Sequence, residues 1–273
     1  GGSFFMAYRW KAGVMIPLGD LVGGSNSCES GGISADGSVC GGMSFSSNGT
    51  EAFRWENDVI VGLGDLPGGE FYSHGFDVSG DGTTVVGLSR TEIPDFPFRW
   101  RDGVMTNLSE DFPGSMPTGH ARAVNHDGNV VVGFVSQPGA PPPFRWTPGL
   151  MVTLDLLPNA VWGTALAVSP DGLMVAGRIS YAGSTGEAFF WQNGVTTGLG
   201  DLPGGDLDSE ANGVSDTGVV VGTGKFTNFG LNRYAPIIWT AETGLRNLRT
   251  VMEFDYGLDL TGWTLSEANG VSG

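Results

Sequence analysis

Glu51-Ala52-Phe53-Arg54-Trp55, then Gly62-Leu63-Gly64-Asp65-Leu66-Pro67-Gly68-Gly69, then Asp77-Val78-Ser79-Gly80-Asp81-Gly82: this stretch is one copy of a unit that recurs along all 273 residues. Its aromatic mark falls at Trp10, Trp55, Trp100, Trp146, Trp191 and Trp239, in steps of 45, 45, 46, 45 and 48 residues. A fixed period of roughly 40–45 residues suits one four-stranded propeller blade. A helical repeat of that length needs apolar residues spaced by helical turns. This chain has instead short apolar alternation broken by Gly, Asp, Asn and Pro, the mark of strands and tight turns.

Each unit divides into four strands. Strand one ends in a small-Val-Ser pattern, as in Gly32-Ile33-Ser34, Asp77-Val78-Ser79, Ala123-Val124-Asn125, Ala167-Val168-Ser169, Gly213-Val214-Ser215 and Gly270-Val271-Ser272. An Asp-Gly turn follows at Asp36-Gly37, Asp81-Gly82, Asp127-Gly128 and Asp171-Gly172, which suits a tight hairpin because both central residues can take positive φ. Strand two is β-branched, as in Val85-Val86-Gly87. Strand three carries Phe and Trp on one face and Arg on the other, as in Phe98-Arg99-Trp100. Strand four runs into Gly-Asp-Leu. Small residues place strand one innermost, and the aromatic strand fills the space between neighbouring blades, so the six recurring Trp have a packing role. Arg9, Arg54, Arg99 and Arg145 are expected to pair with Gly-Asp-Leu carboxylates such as Asp20 and Asp65, an optional contact because Phe190 and Ile238 take the Arg place later.

The expectation is therefore an all-β fold: one domain over 1–273, a β-propeller of six four-stranded blades of about 45 residues. Gly1 to Trp10 supplies a strand three, Lys11 to Asp20 a strand four, and Ser266 to Gly273 a strand one. Pairing of these N- and C-terminal strands would close the ring and remove exposed sheet edges. The alternative is a longer protein with more repeats.

Composition narrows the function. With 13 Lys plus Arg against 29 Asp plus Glu, the formal charge is −16, which repels phosphate backbones and anionic lipid and argues against nucleic-acid or membrane-surface partners. No apolar run is long enough to insert in a bilayer. The chain opens at Gly1-Gly2 with no initiator Met and no signal peptide, which reads as a processed or trimmed product. By repeat alignment Cys28 stands where other copies have Ser73, Ser209 and Ser266, and Cys40 where they have Val85, Val131 and Val175. The two are near each other across a hairpin but not opposite, which favours two separate residues, with Cys40 a buried thiol, over a disulfide.

Glu51 to Trp55, Gly62 to Gly69, Gly198 to Gly205 and Ser209 to Ser215 together resemble the HAF-type extracellular-repeat family of bacterial proteins, over nearly the whole chain. The family's His before Ala-Phe is replaced here by Glu51, Glu187, Phe96 and Pro142 in different units, so no role tied to that His carries over. The resemblance implies a secreted or cell-surface bacterial protein and no established enzymatic activity, so no catalytic residues carry over.

Variable connections fall on one face of such a scaffold and are its natural binding surface. Trp162, Trp263, Tyr256 and Tyr72 are the ligand-binding candidates there, since Trp and Tyr stack on sugars or anchor a protein partner. The loop from Val251 to Leu265 is the longest. The residue four before the Val of strand one gives Glu29, His74, His120, Thr164, Glu210 and Glu267, a set of carboxylates and imidazoles able to hold a divalent cation or a cationic ligand; the bland reading is a solvated strand start. Asp206, Asp208 and Glu210 form a second candidate, for Ca²⁺. No nucleophile–His–acid set, phosphate loop or zinc spacing is present, and His126 reads as a plain turn residue. The leading function is a non-enzymatic extracellular or cell-surface module that binds a protein or glycan partner. A structural spacer in a larger assembly and a polysaccharide-acting hydrolase or lyase are the alternatives.

Overall fold

The computed structural model describes residues 5–91, 95–183, 186–204, 207–228 and 231–272, so the Gly1-Gly2 opening lies outside the described residues. Two compact units are present, Gly1–Ser136 with Arg145–Val152, and Gln137–Phe144 with Thr153–Gly273. The architecture is all-β and follows the period. A hairpin comes first, β1 (Tyr8–Lys11) and β2 (Val14–Pro17). Four-stranded sheets follow: β3 (Gly23–Ile33), β4 (Val39–Ser46), β5 (Thr50–Glu56), β6 (Val59–Gly62); then β7 (Ser73–Val78), β8 (Thr84–Arg90), β9 (Asp95–Arg101), β10 (Val104–Asn107). The third holds β11 (Thr118–Val124), β12 (Val131–Ser136), β13 (Pro143–Thr147), β14 (Leu150–Thr153). The fourth holds β15 (Ala160–Val168), β16 (Met174–Tyr181), β17 (Gly186–Gln192), β18 (Val195–Gly200), and the fifth β19 (Ser209–Val214), β20 (Val220–Asn228), β21 (Leu231–Thr240), β22 (Gly244–Asn247). In every sheet, consecutive strands are neighbours.

Turn chemistry differs from the expectation. The Asp-Gly turns between strands one and two carry positive φ only at glycine: Gly37, Gly82, Gly128 and Gly172. The Asp instead folds its carboxylate back on the turn. Asp36 Oδ1 accepts from Ser34 Oγ at 2.7 Å and from Ser38 N at 2.9 Å, and Asp81 does the same for Ser79 and Thr83. Bonds from Ser38 and Ser34 pull the Asp36 carboxyl down to about 2. Burial pushes Asp81 up, but its bonds from Ser79 and Thr83 outweigh this and hold it below the usual range. The two-residue turns with both residues left-handed are those between strands three and four: Ala12-Gly13, Asn57-Asp58, Asp102-Gly103 and Asn193-Gly194.

The core lies between successive sheets. Phe53 and Trp55 pack with Ala7, Leu18, Leu21, Cys28 and Cys40, and Val39, Ala52, Leu63 and Leu66 pack with Val78, Val85 and Phe98. In the other unit Ala188, Leu199 and Leu202 meet Ala211, Val220 and Ile237. Phe and Trp do share the buried face. The Arg expectation fails: Arg54 Nε and Nη2 donate to Gly82 O at 3.1 and 3.0 Å, and Arg99 Nε to Gly128 O at 2.9 Å. Arg9 lies 5.6 Å over the Trp55 ring and Arg99 5.5 Å over Trp146. Each of these guanidiniums thus reaches forward to the next copy, not to its own Gly-Asp-Leu; the ion pair of Arg54 is with Glu56, at 2.9 Å.

Gly-Asp-Leu is held by a repeated serine clasp. Ser73 Oγ accepts from Ala52 N at 2.9 Å and donates to Gly64 O at 2.5 Å; Ser209 does the same with Ala188 N and Gly200 O. Cys28 stands in this place in the first copy. Both cysteines are free and buried; Cys28 faces Ser44 and Cys40 faces Ile33, as two separate residues. Burial pushes the Cys28 thiol up to about 11. Ser73→Ala leaves one buried N–H and one carbonyl unsatisfied and is expected to cost about 1–3 kcal/mol in urea denaturation. A loss below a few tenths would mean the clasp is idle.

The C-terminal segment differs from the expected strand one. No strand is assigned to residues 264–272. The segment nevertheless lies beside β19 and β20: Ala268 N donates to Gly222 O at 3.2 Å, and the Asn212 amide reaches Asn269 Oδ1 at 3.2 Å. A Cβ on Gly213 would stand 3.1 Å from Gly270 Cα, much as one on Gly32 would stand 2.8 Å from Asp77 Cα. The place is that of strand one, without the ladder that a strand two would add.

Candidate functional site

The aligned set at the start of strand one shares one register. Glu29 faces Met43, His74 faces Leu88, His120 faces Phe134, Thr164 faces Arg178 and Glu210 faces Thr223. Two residues further on, every strand one shifts register, and the extra residue is Gly31, Phe76, Arg122, Leu166 or Asn212. A bulge of this kind re-aims a side chain and marks sites.

In the first unit this brings rings and a guanidinium together. The His74 and Phe76 centroids are 4.5 Å apart, those of His120 and Phe134 4.8 Å, and Arg122 lies 4.5 Å over Phe76. His120 Nε2 is 3.4 Å from Asp95 Oδ2, while its Nδ1 is buried with no hydrogen-bond partner. Burial lowers both imidazoles. Arg122 lowers them further, against Glu29 acting on His74 and Asp95 acting on His120. Both shifts favour the neutral imidazole.

In the second unit the same positions line a polar cleft of about 320 Å³, with Arg178, Asp208, Glu210, Tyr234 and Glu267 on its walls. Asp208 is fully engaged: Arg178 Nη2 stands 2.7 Å from Oδ1, and Tyr234 Oη donates to Oδ2 at 2.7 Å. Burial pushes the Asp208 carboxyl up, but the bonds from Tyr234 and Arg178 outweigh it and hold it below the usual range.

Among the described residues no group of three or more His, Cys, Asp or Glu could hold a metal ion. Asp206 lies outside the described residues. Asp208 is taken up by its arginine and tyrosine, His74 and His120 by rings, and Glu29 and Glu267 are exposed. Glu29, His74, His120, Glu210, Glu267 and Asp208 are thus not gathered into a group of three or more that could hold a metal ion.

The aromatic candidates separate. Trp162 is not in a loop: β15 extends upstream and pairs it with Ser180, half-buried. Tyr72 is half-buried beneath Arg90, whose guanidinium lies 4.4 Å over its ring. Tyr256 and Trp263 do stand out, 75 % and 67 % exposed, with Phe254 at 81 %. Their loop begins with helical turns, Leu248–Thr250 and Val251–Asp255, and is braced. Arg246 holds Asp255 through two bonds of 2.7 and 3.1 Å, and Arg249 donates to Trp263 O at 2.6 Å and Leu260 O at 2.9 Å.

Sequence reasoning passed over Arg178, Tyr234, Arg122 and Phe76. For Phe76 and Arg122 the alternation of a strand was the available signal, since residues two apart, as each is from His74 or His120, share a face. It also left Glu51 and Glu187 without a role. Glu51 Oε1 accepts from Gly64 N and Glu187 Oε2 from Gly200 N, both at 3.0 Å, so these carboxylates fix the Gly-Asp-Leu turn.

A run of four-stranded sheets defines a fold of propeller type. The chain is similar to TolB from Acinetobacter baumannii, at 14% identity and TM-score 0.53 over 85% of this chain and 56% of that one. It is also similar to a putative TolB from Agrobacterium tumefaciens, at 18% identity and TM-score 0.53 over 76% of this chain and 77% of that one. The chain thus spans little more than half the length of the first of these, and the likeness is one of fold. No protein-family model and no curated protein matches the sequence. No helix among the described residues is long and apolar enough to cross a membrane.

Proposed function

We propose that this chain is a non-enzymatic extracellular or cell-surface binding module that engages a protein partner through the C-terminal loop. The observation that carries this reading is the exposure of Phe254, Tyr256 and Trp263 on one loop tied down by Arg246 and Arg249. Large aromatics supply most of the energy at protein interfaces, and a loop already ordered loses little freedom on binding. The test compares partner capture by the parent chain and by a triple variant, Phe254→Ser, Tyr256→Ser and Trp263→Ser. Folding of both is checked by thermal melting. Loss of roughly 2 kcal/mol or more of binding is expected. Equal capture by the two would reject the loop as the binding face.

A glycan is the second reading, favoured by the polar cleft beside Tyr234 and Glu210. Its test is a glycan array with Tyr234→Ala and Glu210→Gln; binding unaffected by both would remove it. We also infer from the six repeats that they close into one ring, the N-terminal hairpin and the C-terminal segment belonging to one blade. Deleting residues 264–273 should then speed hydrogen exchange in β1 and β2; unchanged exchange there would leave the ring open.

A further inference from the structure

In mid-chain, β6 is the last strand of a complete four-stranded sheet and pairs with β5 alone. Phe53 faces Gly62, and Leu63 N donates to Ala52 O at 2.9 Å. An antiparallel ladder bonds toward one neighbour at alternate residues, so Val59 and Val61 bond toward β5, and the N–H and C=O of Ile60 and Gly62 point away from it. Such an edge is a template for another strand.

The side chains beside this edge say what fits against it. Val59 and Val61, 57 % and 54 % exposed, face Glu56 and Arg54 of β5. With Leu63, and with Trp100 of the next copy, these four line a groove of about 280 Å³. The place of Val61 is polar in three other sheets: Thr106 faces Arg99, Thr197 faces Phe190 and Arg246 faces Ile238, as Val61 faces Arg54. The apolar groove therefore belongs to this copy and not to the repeat as such. Its charge is also one-sided. Arg54 is spent, with Nε and Nη2 on Gly82 O and Nη1 on Glu56 at 2.9 Å. Glu56, whose side chain is 42 % exposed, and the exposed Asp58 in the turn beyond it leave the Val59 end of the groove negative.

We propose that the free edge of β6 captures an extended segment of a partner polypeptide by antiparallel strand addition, the segment reading apolar-x-basic. The ladder goes to Ile60 and Gly62. The apolar side chain stands opposite Val61 and enters the groove toward Trp100. The Lys or Arg stands opposite Val59, lays its stem along that valine and brings its charge to Glu56. This surface lies in the first unit, and the C-terminal aromatic loop in the second, so the two are tested separately.

The test is hydrogen exchange at single amides of the full chain, titrated to millimolar concentration with the capped peptide Thr-Leu-Thr-Lys-Thr. Two controls carry proline at the first and third positions, which removes the N–H groups of the ladder, or Glu in place of Lys. The expected result is that the amides of Ile60 and Gly62 slow at least about tenfold with the first peptide and with neither control. Val61→Arg, which gives β6 the residue that β22 has at that place, should abolish the effect with thermal melting unchanged. No slowing, or equal slowing by either control or in Val61→Arg, would overturn the proposal. Ile60 and Gly62 amides already protected in dilute protein without peptide would mean that the chain covers its own edge. Protection that grows with protein concentration, with a dimer in sedimentation, would mean that a second copy covers it. Either would overturn it too.

Discussion

Gly87→Ala is expected to cost about 3 kcal/mol or more, or to prevent folding, although it adds one methyl group to a strand with ordinary backbone angles. The new Cβ would lie 1.9 Å from the carbonyl oxygen of His74 and 2.9 Å from Phe98 Cε1. The oxygen belongs to the backbone of β7, whose register against β8 is fixed on both sides of the clash by His74 facing Leu88 and Gly75 facing Gly87. Relief would require β7 and β8 to part. The same approach recurs at Gly42, Gly177 and Gly222, whose Cβ would meet Glu29 O, Thr164 O and Glu210 O at 1.9, 2.1 and 1.9 Å. Gly103→Ala is the contrasting case. Nothing lies within 4 Å of its Cβ, and only its φ of +82° opposes the change, at about 1 kcal/mol. Urea denaturation of the two variants distinguishes crowding from backbone preference. A Gly87→Ala protein within 1 kcal/mol of the parent would show that the strands yield, at about the scale of a turn substitution.

The second large effect concerns Asp77. Other copies have a small residue at this place in strand one, Gly32, Ala123, Ala167 or Gly213; this copy has a carboxylate. Its Oδ1 accepts from Val78 N at 2.8 Å and its Oδ2 from Val124 N at 2.9 Å, so it ties β7 to β11. The side chain is half-buried by area, but its oxygens are enclosed. Burial pushes its pKa up to about 7 against the pull of those two N–H groups. The folded state therefore holds its proton to higher pH than the unfolded chain. The contribution of Asp77 to stability is fully present below about pH 4 and is lost as pH rises through about 7. Asp77→Asn does not titrate. The stability of the parent relative to Asp77→Asn should fall by roughly 2–4 kcal/mol between about pH 4 and pH 8, and then level off. Denaturation curves for the two proteins that stay parallel across that range would sink the assignment.

Much of this fold could be read from the repeat. The Trp spacing and the Phe-Arg-Trp alternation gave the strands and the buried face, because both are local patterns with a fixed period. The turns were harder. Asp-Gly occurs between strands one and two and, at Asp102-Gly103, between strands three and four, yet only Asp102 takes positive φ. The distinction is loop length. Two residues separate Arg101 from Val104, which forces both into the left-handed region; four separate Ser34 from Val39, which leaves the Asp free to bond its own turn. The surroundings of the aligned acids and imidazoles were hard to read for a related reason. Alignment placed Glu29, His74 and His120 in one register correctly, but the bulged neighbours Phe76 and Arg122 decide what the imidazoles touch, and bulges leave no mark in composition. Trp162 was misplaced because β15 begins earlier than the copies around it.

The forward-reaching arginines have a consequence for how the chain can go wrong. Arg9, Arg54 and Arg99 each dock on the copy that follows, on a Trp ring or a turn carbonyl that several copies share. Such a coupler does not recognise which copy it meets. During folding, a copy that docks one repeat out of step would find nearly the same ring and the same carbonyl waiting, a decoy almost as good as the correct partner. The departures from the pattern then act as addresses. Phe190 replaces the arginine and meets Trp239 ring to ring at 5.2 Å, Asp77 fits only where Val124 offers its N–H, and Cys28 stands where other copies have serine or glycine. Making the copies more alike would strengthen each junction and blur the order in which they assemble.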